Sequence, residues 1–114
     1  MDKGSIKSAM LETYNFTLHG QKCELVRRFL PSVGHYFCGY VLLDKPLTQE
    51  QYDLITISFM PEITYRSNKK IGFDTGHSYE VESGKSDDFE YAKIELLENL
   101  ALVVNEVLTA SLEE

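Results

Sequence analysis

The last quarter of the chain places the tightest limit on the fold. Over residues 87–112, Phe89, Ala92, Leu96, Leu100, Val103 and Val107 recur at helical spacing, with Ile94, Leu97, Ala101, Val104 and Leu108 as a second row beside them. Ser86 suits an N-cap, and Asp87 and Asp88 bring negative charge to the first turn, where the helix dipole favours it. This predicts one long C-terminal helix whose apolar stripe is wider than a small sheet can cover. A second copy of the chain is expected to bury the rest about a two-fold axis, giving a homodimer.

The sheet is legible upstream. Tyr14, Phe16 and Leu18 alternate with Asn15, Thr17 and His19, the period of a half-buried strand, and Gly20-Gln21 reads as a turn. A second strand is predicted over 22–30, with Cys23, Leu25 or Val26, and Phe29 apolar and Arg27-Arg28 marking a bulge or an edge. Residues 35–43 form the strongest strand and belong at the centre. Within it Gly39 signals a bulge or a close backbone approach. Residues 1–12 read as a short helix or a loose arm, since Ile6, Met10 and Leu11 have approximate helical spacing.

Thr48 and Gln51 have the spacing of a capping box, which predicts a turn or two of helix over 48–54. Strand character returns over 55–65, with a break at Met60-Pro61-Glu62 because proline has no N–H to donate. A polar turn at Ser67-Asn68-Lys69-Lys70 then leads into a strand over 70–73, and residues 74–88 read as a loop, long for a compact domain. The class is α+β: an antiparallel sheet of four or five strands packed on one long C-terminal helix, in a single domain over 1–114.

Eighteen acidic against eleven basic residues give a formal charge of −7, which repels a phosphate backbone and argues against general nucleic-acid binding. A small anion is still compatible with local basic clusters at Arg27-Arg28, Arg66 and Lys69-Lys70. The start, Met1-Asp2-Lys3-Gly4-Ser5, lacks the pattern of a signal peptide, and no apolar run is long enough to span a membrane, so a cytoplasmic location without a membrane partner is expected. Cys23 and Cys38 lack CxxC spacing and are expected to be buried thiols.

No nucleophile elbow, phosphate-binding loop, HExxH or dinucleotide glycine pattern is present, which lowers the enzyme reading without removing it. What remains is Gly72-Phe73-Asp74-Thr75-Gly76-His77. On a tight loop Asp74 can orient the His77 imidazole for acid–base work, both can bind a metal or another ligand, or both can serve the turn itself. Tyr36, Tyr40 and Tyr65 fit either cross-strand packing or a stacking pocket for a nucleobase. The candidate ligand-binding residues are Tyr40, Thr64, Tyr65, Arg66, Asp74, Thr75 and His77; no catalytic residue, metal ligand or cofactor is assigned.

Three blocks in order, Cys38-Gly39-Tyr40-Val41, then Ile63-Thr64-Tyr65, then Ile71-Gly72-Phe73-Asp74 with His77, resemble a family of small uncharacterised proteins encoded by bacteriophages and prophages. The resemblance implies a viral origin more than an activity; by analogy, a small acidic phage domain without catalytic motifs fits a counter-defence or host-takeover role. The expected function is sequestration of a nucleotide-like small molecule. The alternatives are blockade of a host defence protein, CRISPR-type or other, by acidic mimicry of nucleic acid, and a small hydrolase using Asp74 and His77.

Overall fold

The computed structural model describes residues 9–113. In chain order it contains β1 (Ala9–Leu18), β2 (Gln21–Leu30), β3 (Gly34–Leu42), α1 (Gln49–Ser58), β4 (Tyr65–Arg66), β5 (Lys70–Asp74), α2 (Ser78–Glu82) and a 3₁₀ turn (Lys85–Asp87). A π-helical segment (Tyr91–Leu97) then runs into α3 (Glu98–Glu113). The strands form one antiparallel sheet in the order β1-β2-β3-β5-β4, with β3 at its centre, so the chain is α+β as expected. No helix among the described residues is long and apolar enough to cross a membrane.

Alternation decides the two faces. Tyr14, Phe16 and Leu18 of β1, Cys23 and Leu25 of β2, Phe37 and Val41 of β3, and Ile71 and Phe73 of β5 point to one side and meet the C-terminal helix. Val26, Cys38 and Tyr40 form a separate buried cluster on the other side, with Tyr36 and Leu42 packed against it. The alternatives left open for β2 therefore resolve to Leu25 on the helix side and Val26 opposite.

Several boundaries differ from expectation. The expected helix or arm over 1–12 lies mostly outside the described residues; from Ala9 onward the chain is strand. The first turn is His19-Gly20, both with positive φ (49° and 78°), the twist that a two-residue hairpin needs. The bulge expected at Arg27-Arg28 belongs to β1, where the register slips between Met10 and Glu12 opposite those arginines. Nor is Gly39 a bulge; it is a close approach, for the Phe73 ring lies across it.

The Thr48–Gln51 capping box forms in both directions, and α1 runs on to Ser58 through residues read as strand. Once nucleated, the helix places Ile55 in the core, fully buried, while Ile57 is 76% exposed. That burial outweighs the β preference of Ile-Thr-Ile. Of the strand expected to run to residue 65, only Tyr65 is strand, together with Arg66 in the two-residue β4.

The expected loop over 74–88 contains α2 and the 3₁₀ turn. Ser86 is not an N-cap; its carbonyl accepts the Thr75 hydroxyl at 2.7 Å, and the cap is Asp88, whose Oδ1 accepts the Tyr91 N–H at 3.1 Å. Both apolar rows of the C-terminal helix are largely covered within one chain. Leu97, Ala101 and Val104 are fully buried and α1 packs on α3, whereas Ile94 stays exposed.

The Gly39 contact gives a direct test. A Cβ there would lie 2.4 Å from Phe73 Cζ, and Phe73 is itself wedged against Phe59 at 5.9 Å between ring centroids. Gly39→Ala is expected to cost about 1–3 kcal/mol by overpacking, read as a lower urea midpoint with an unchanged slope.

Candidate functional site

Helix α1, the π-helical segment and α3 cover one face of the sheet; on the opposite face Val26, Cys38 and Tyr40 are buried among their own neighbours, while Tyr65 is exposed. Gly72 is central to that opposite face. It pairs with Tyr40 on one side and Tyr65 on the other. A Cβ at Gly72 would lie 2.5 Å from Tyr40 Cδ1. Because that space is empty, the Tyr40 ring crosses Gly72 and meets Tyr65 edge to face, with centroids 5.4 Å apart.

Cations complete the cluster. The Lys70 ammonium stands 4.2 Å above the Tyr40 ring and 5.7 Å from that of Tyr65, and it pairs with Glu24 at 3.5 Å. Arg28 lies against Cys38 and Tyr40. Burial first, then neighbouring Cys38, push the Tyr40 hydroxyl up to about 12 despite Arg28, so it remains a neutral donor. Burial likewise raises the Cys38 thiol, with the facing Asp74 adding to the effect, which keeps it protonated and a poor nucleophile. Beside the cluster, a hollow of about 280 Å³ is lined by Asn15, Thr17, Lys22 and Leu42 among others.

The seven candidate residues divide among several places. Tyr40, Tyr65 and Asp74, which faces Cys38 across the ladder, share the open face. Asp74 Oδ1 accepts the Gly76 N–H at 2.9 Å. Arg66 lies on the helix side, its guanidinium 3.9 Å above the Tyr52 ring and donating to Gln49 at 3.2 Å. The Thr64 N–H donates to the Gly72 carbonyl and extends the ladder. Thr75 is fully buried, its hydroxyl accepting the Phe37 N–H at 2.9 Å. Residues 43–46 with Asn105, Leu108 and Thr109 contribute to a larger cleft of about 430 Å³, which none of the seven lines.

His77 belongs to a second cluster. Its Nδ1 is 2.6 Å from Glu80 Oε1, and Glu80 is 1% exposed, with Oε2 accepting the Tyr91 hydroxyl at 2.7 Å. The other ring nitrogen, Nε2, is 3.4 Å from Glu62, and Tyr79 stacks on the ring at 5.4 Å. The carboxyl that holds the imidazole is thus Glu80 rather than Asp74. Glu80 was legible as a partner through its three-residue spacing from His77, but Tyr91 arrives from the next helix and has no local signal. Among the described residues, no three His, Cys, Asp or Glu side chains gather to hold a metal.

Comparison with protein families, curated proteins and solved structures gave no match.

Both ring nitrogens of His77 face carboxylates, an arrangement that only the imidazolium can satisfy in full. Burial disfavours the charge, but the Glu80 hydrogen bond and the charges of Asp74, Glu80 and Glu62 outweigh it and raise the pKa above the usual histidine value. A raised folded-state pKa contributes stability that is fully present below the unfolded value of about 6.5 and is lost as pH rises through the folded value. The stability difference between wild type and His77→Gln should therefore be largest at mildly acidic pH and shrink above neutrality. Urea titrations across that range check it, and a difference that grows with pH would contradict it.

Proposed function

We propose that the chain is a binding protein that takes a nucleotide-like small molecule onto the open face of its sheet and sequesters it. The observation that carries the reading is the Tyr40–Tyr65–Lys70 cluster with Arg28 alongside, on the face the helices leave uncovered. Tyr65, 43% exposed, offers a flat ring for a base. Lys70 and Arg28 supply positive charge for phosphate, and the neutral Tyr40 hydroxyl can donate to it. The charge of −7 on the whole chain opposes a long polyanion, which favours a small ligand over a strand of nucleic acid. A phage counter-defence role fits such sequestration and rests on the three sequence blocks alone.

Mimicry of nucleic acid ranks second, because the acidic residues within 80–88 are mostly engaged internally. Glu80 is buried, Asp87 pairs with Arg27 at 3.0 Å, and Asp88 caps a helix. The hydrolase reading ranks third, since Asp74 caps its own turn rather than orienting His77.

Thermal shift against mononucleotides, cyclic dinucleotides and ADP-ribose tests the proposal. A ligand held at 100 times its Kd stabilises by about 2.7 kcal/mol, so at least one member of the panel should raise the melting temperature of the wild type. Tyr65→Ala and Lys70→Ala should lose that shift while melting close to wild type without ligand, and His77→Gln should keep it. A flat panel at saturating concentration overturns the reading.

A further inference from the structure

The two edges of the sheet are unequal. β4 has two residues, whereas β1 has ten. Long open edges present unpaired N–H and C=O groups and are normally blunted by lysine, proline, bulges or shortness. The β1 sequence, AMLETYNFTL, contains neither lysine nor proline. Its bulge comes at the start, between Met10 and Glu12, so the pairing from Glu12 to Leu18 is regular.

Hairpin geometry identifies which backbone groups are left open among the described residues. A two-residue turn at His19-Gly20 makes its flanking residues, Leu18 and Gln21, a hydrogen-bonded pair. Alternation then gives the N–H and C=O groups of Tyr14, Phe16 and Leu18 to β2 and turns those of Thr13, Asn15 and Thr17 outward.

We propose that β1 is a homodimer interface: the β1 edges of two copies pair antiparallel about a two-fold axis at Asn15, joining two sheets into one. In that register Asn15 faces Asn15, Thr13 of one copy faces Thr17 of the other, and Tyr14 faces Phe16. The outward backbone groups are then satisfied reciprocally, as an isologous contact requires. Tyr14 and Phe16 are only half-buried in one chain, each in edge contact with Phe89 at 5.0 and 6.3 Å, and their pairing across the axis would add the cross-strand aromatic contact that such sheets favour.

Charge selects a second copy as the occupant. Two chains of −7 repel over most of their surfaces, yet β1 carries one charged side chain, Glu12, already 3.7 Å from Arg27 and accepting the Tyr14 hydroxyl at 2.6 Å. The edge is therefore the strip where two acidic copies meet with least repulsion. The hollow lined by Asn15, Thr17 and Lys22 lies beside the axis, so the two open faces become continuous.

Light scattering on the full chain across a concentration series, with amide exchange by NMR, tests this. The wild type should reach twice the mass of one chain, with the Thr13, Asn15 and Thr17 amides becoming protected as the dimer forms. Asn15→Pro removes an outward donor that β2 does not use and should return the mass to that of one chain. Ile57→Asp, on the exposed apolar side of α1, should leave the dimer intact. If Asn15→Pro fails to fold, exchange in the wild type decides alone. A monomer at every concentration, outward amides that exchange as freely as exposed ones, or a dimer dispersed by Ile57→Asp would each overturn the proposal.

Discussion

Thr75 makes three buried contacts that tie the fold together. Its N–H donates to the Phe37 carbonyl at 2.9 Å, its hydroxyl accepts the Phe37 N–H at 2.9 Å, and the same hydroxyl donates to the Ser86 carbonyl at 2.7 Å. The first two continue the β3–β5 ladder past its last strand residue, and the third fastens the 3₁₀ turn to the sheet. Helix α2 is thereby held between two fixed points, which brings Glu80 under His77 and against Tyr91. Valine at this position would keep the shape but leave the Phe37 N–H and the Ser86 carbonyl unpaired, a cost of roughly 1–3 kcal/mol for each buried group.

The same tether joins the sheet to the turn that precedes the C-terminal helix, which covers one sheet face. With the π-helical segment, α3 and α1 all on the Phe37–Val41 side, the face bearing Tyr36, Cys38, Tyr40 and Leu42 has only its own side chains for cover. Evolution commonly makes an exposed sheet face polar. Here it holds aromatics with cations laid over them, and a glycine where a side chain would separate two rings. The proposed binding of a flat anionic molecule rests on that arrangement.

Much of this architecture could be read from the residues. Alternation in β1, the strand-forming residues of β3, the Thr48 capping box and the apolar rows of the last helix are each carried by residues within a few positions of one another. The failures share the opposite property. Ile55 is helical because of what it packs against, and Ser86 is buried because Thr75 reaches it. The Tyr40–Tyr65 contact exists only because β5 brings Gly72 between them. For the candidate site, Tyr40, Tyr65 and Asp74 were legible as chemistry-bearing residues, but not that Arg66 would turn to the helix side or that Thr75 would serve the core.

Because the central claim concerns a surface, the most direct measurement maps one. Two-dimensional amide NMR of the full chain, titrated with the nucleotide that raises its melting temperature most, reports every backbone position at once. The largest shifts should fall on Arg28, Cys38, Tyr40, Tyr65, Lys70 and Gly72, with α3 unmoved. Shifts concentrated instead around Gly20, Lys45 and Asn105, in the larger cleft, would contradict the claim.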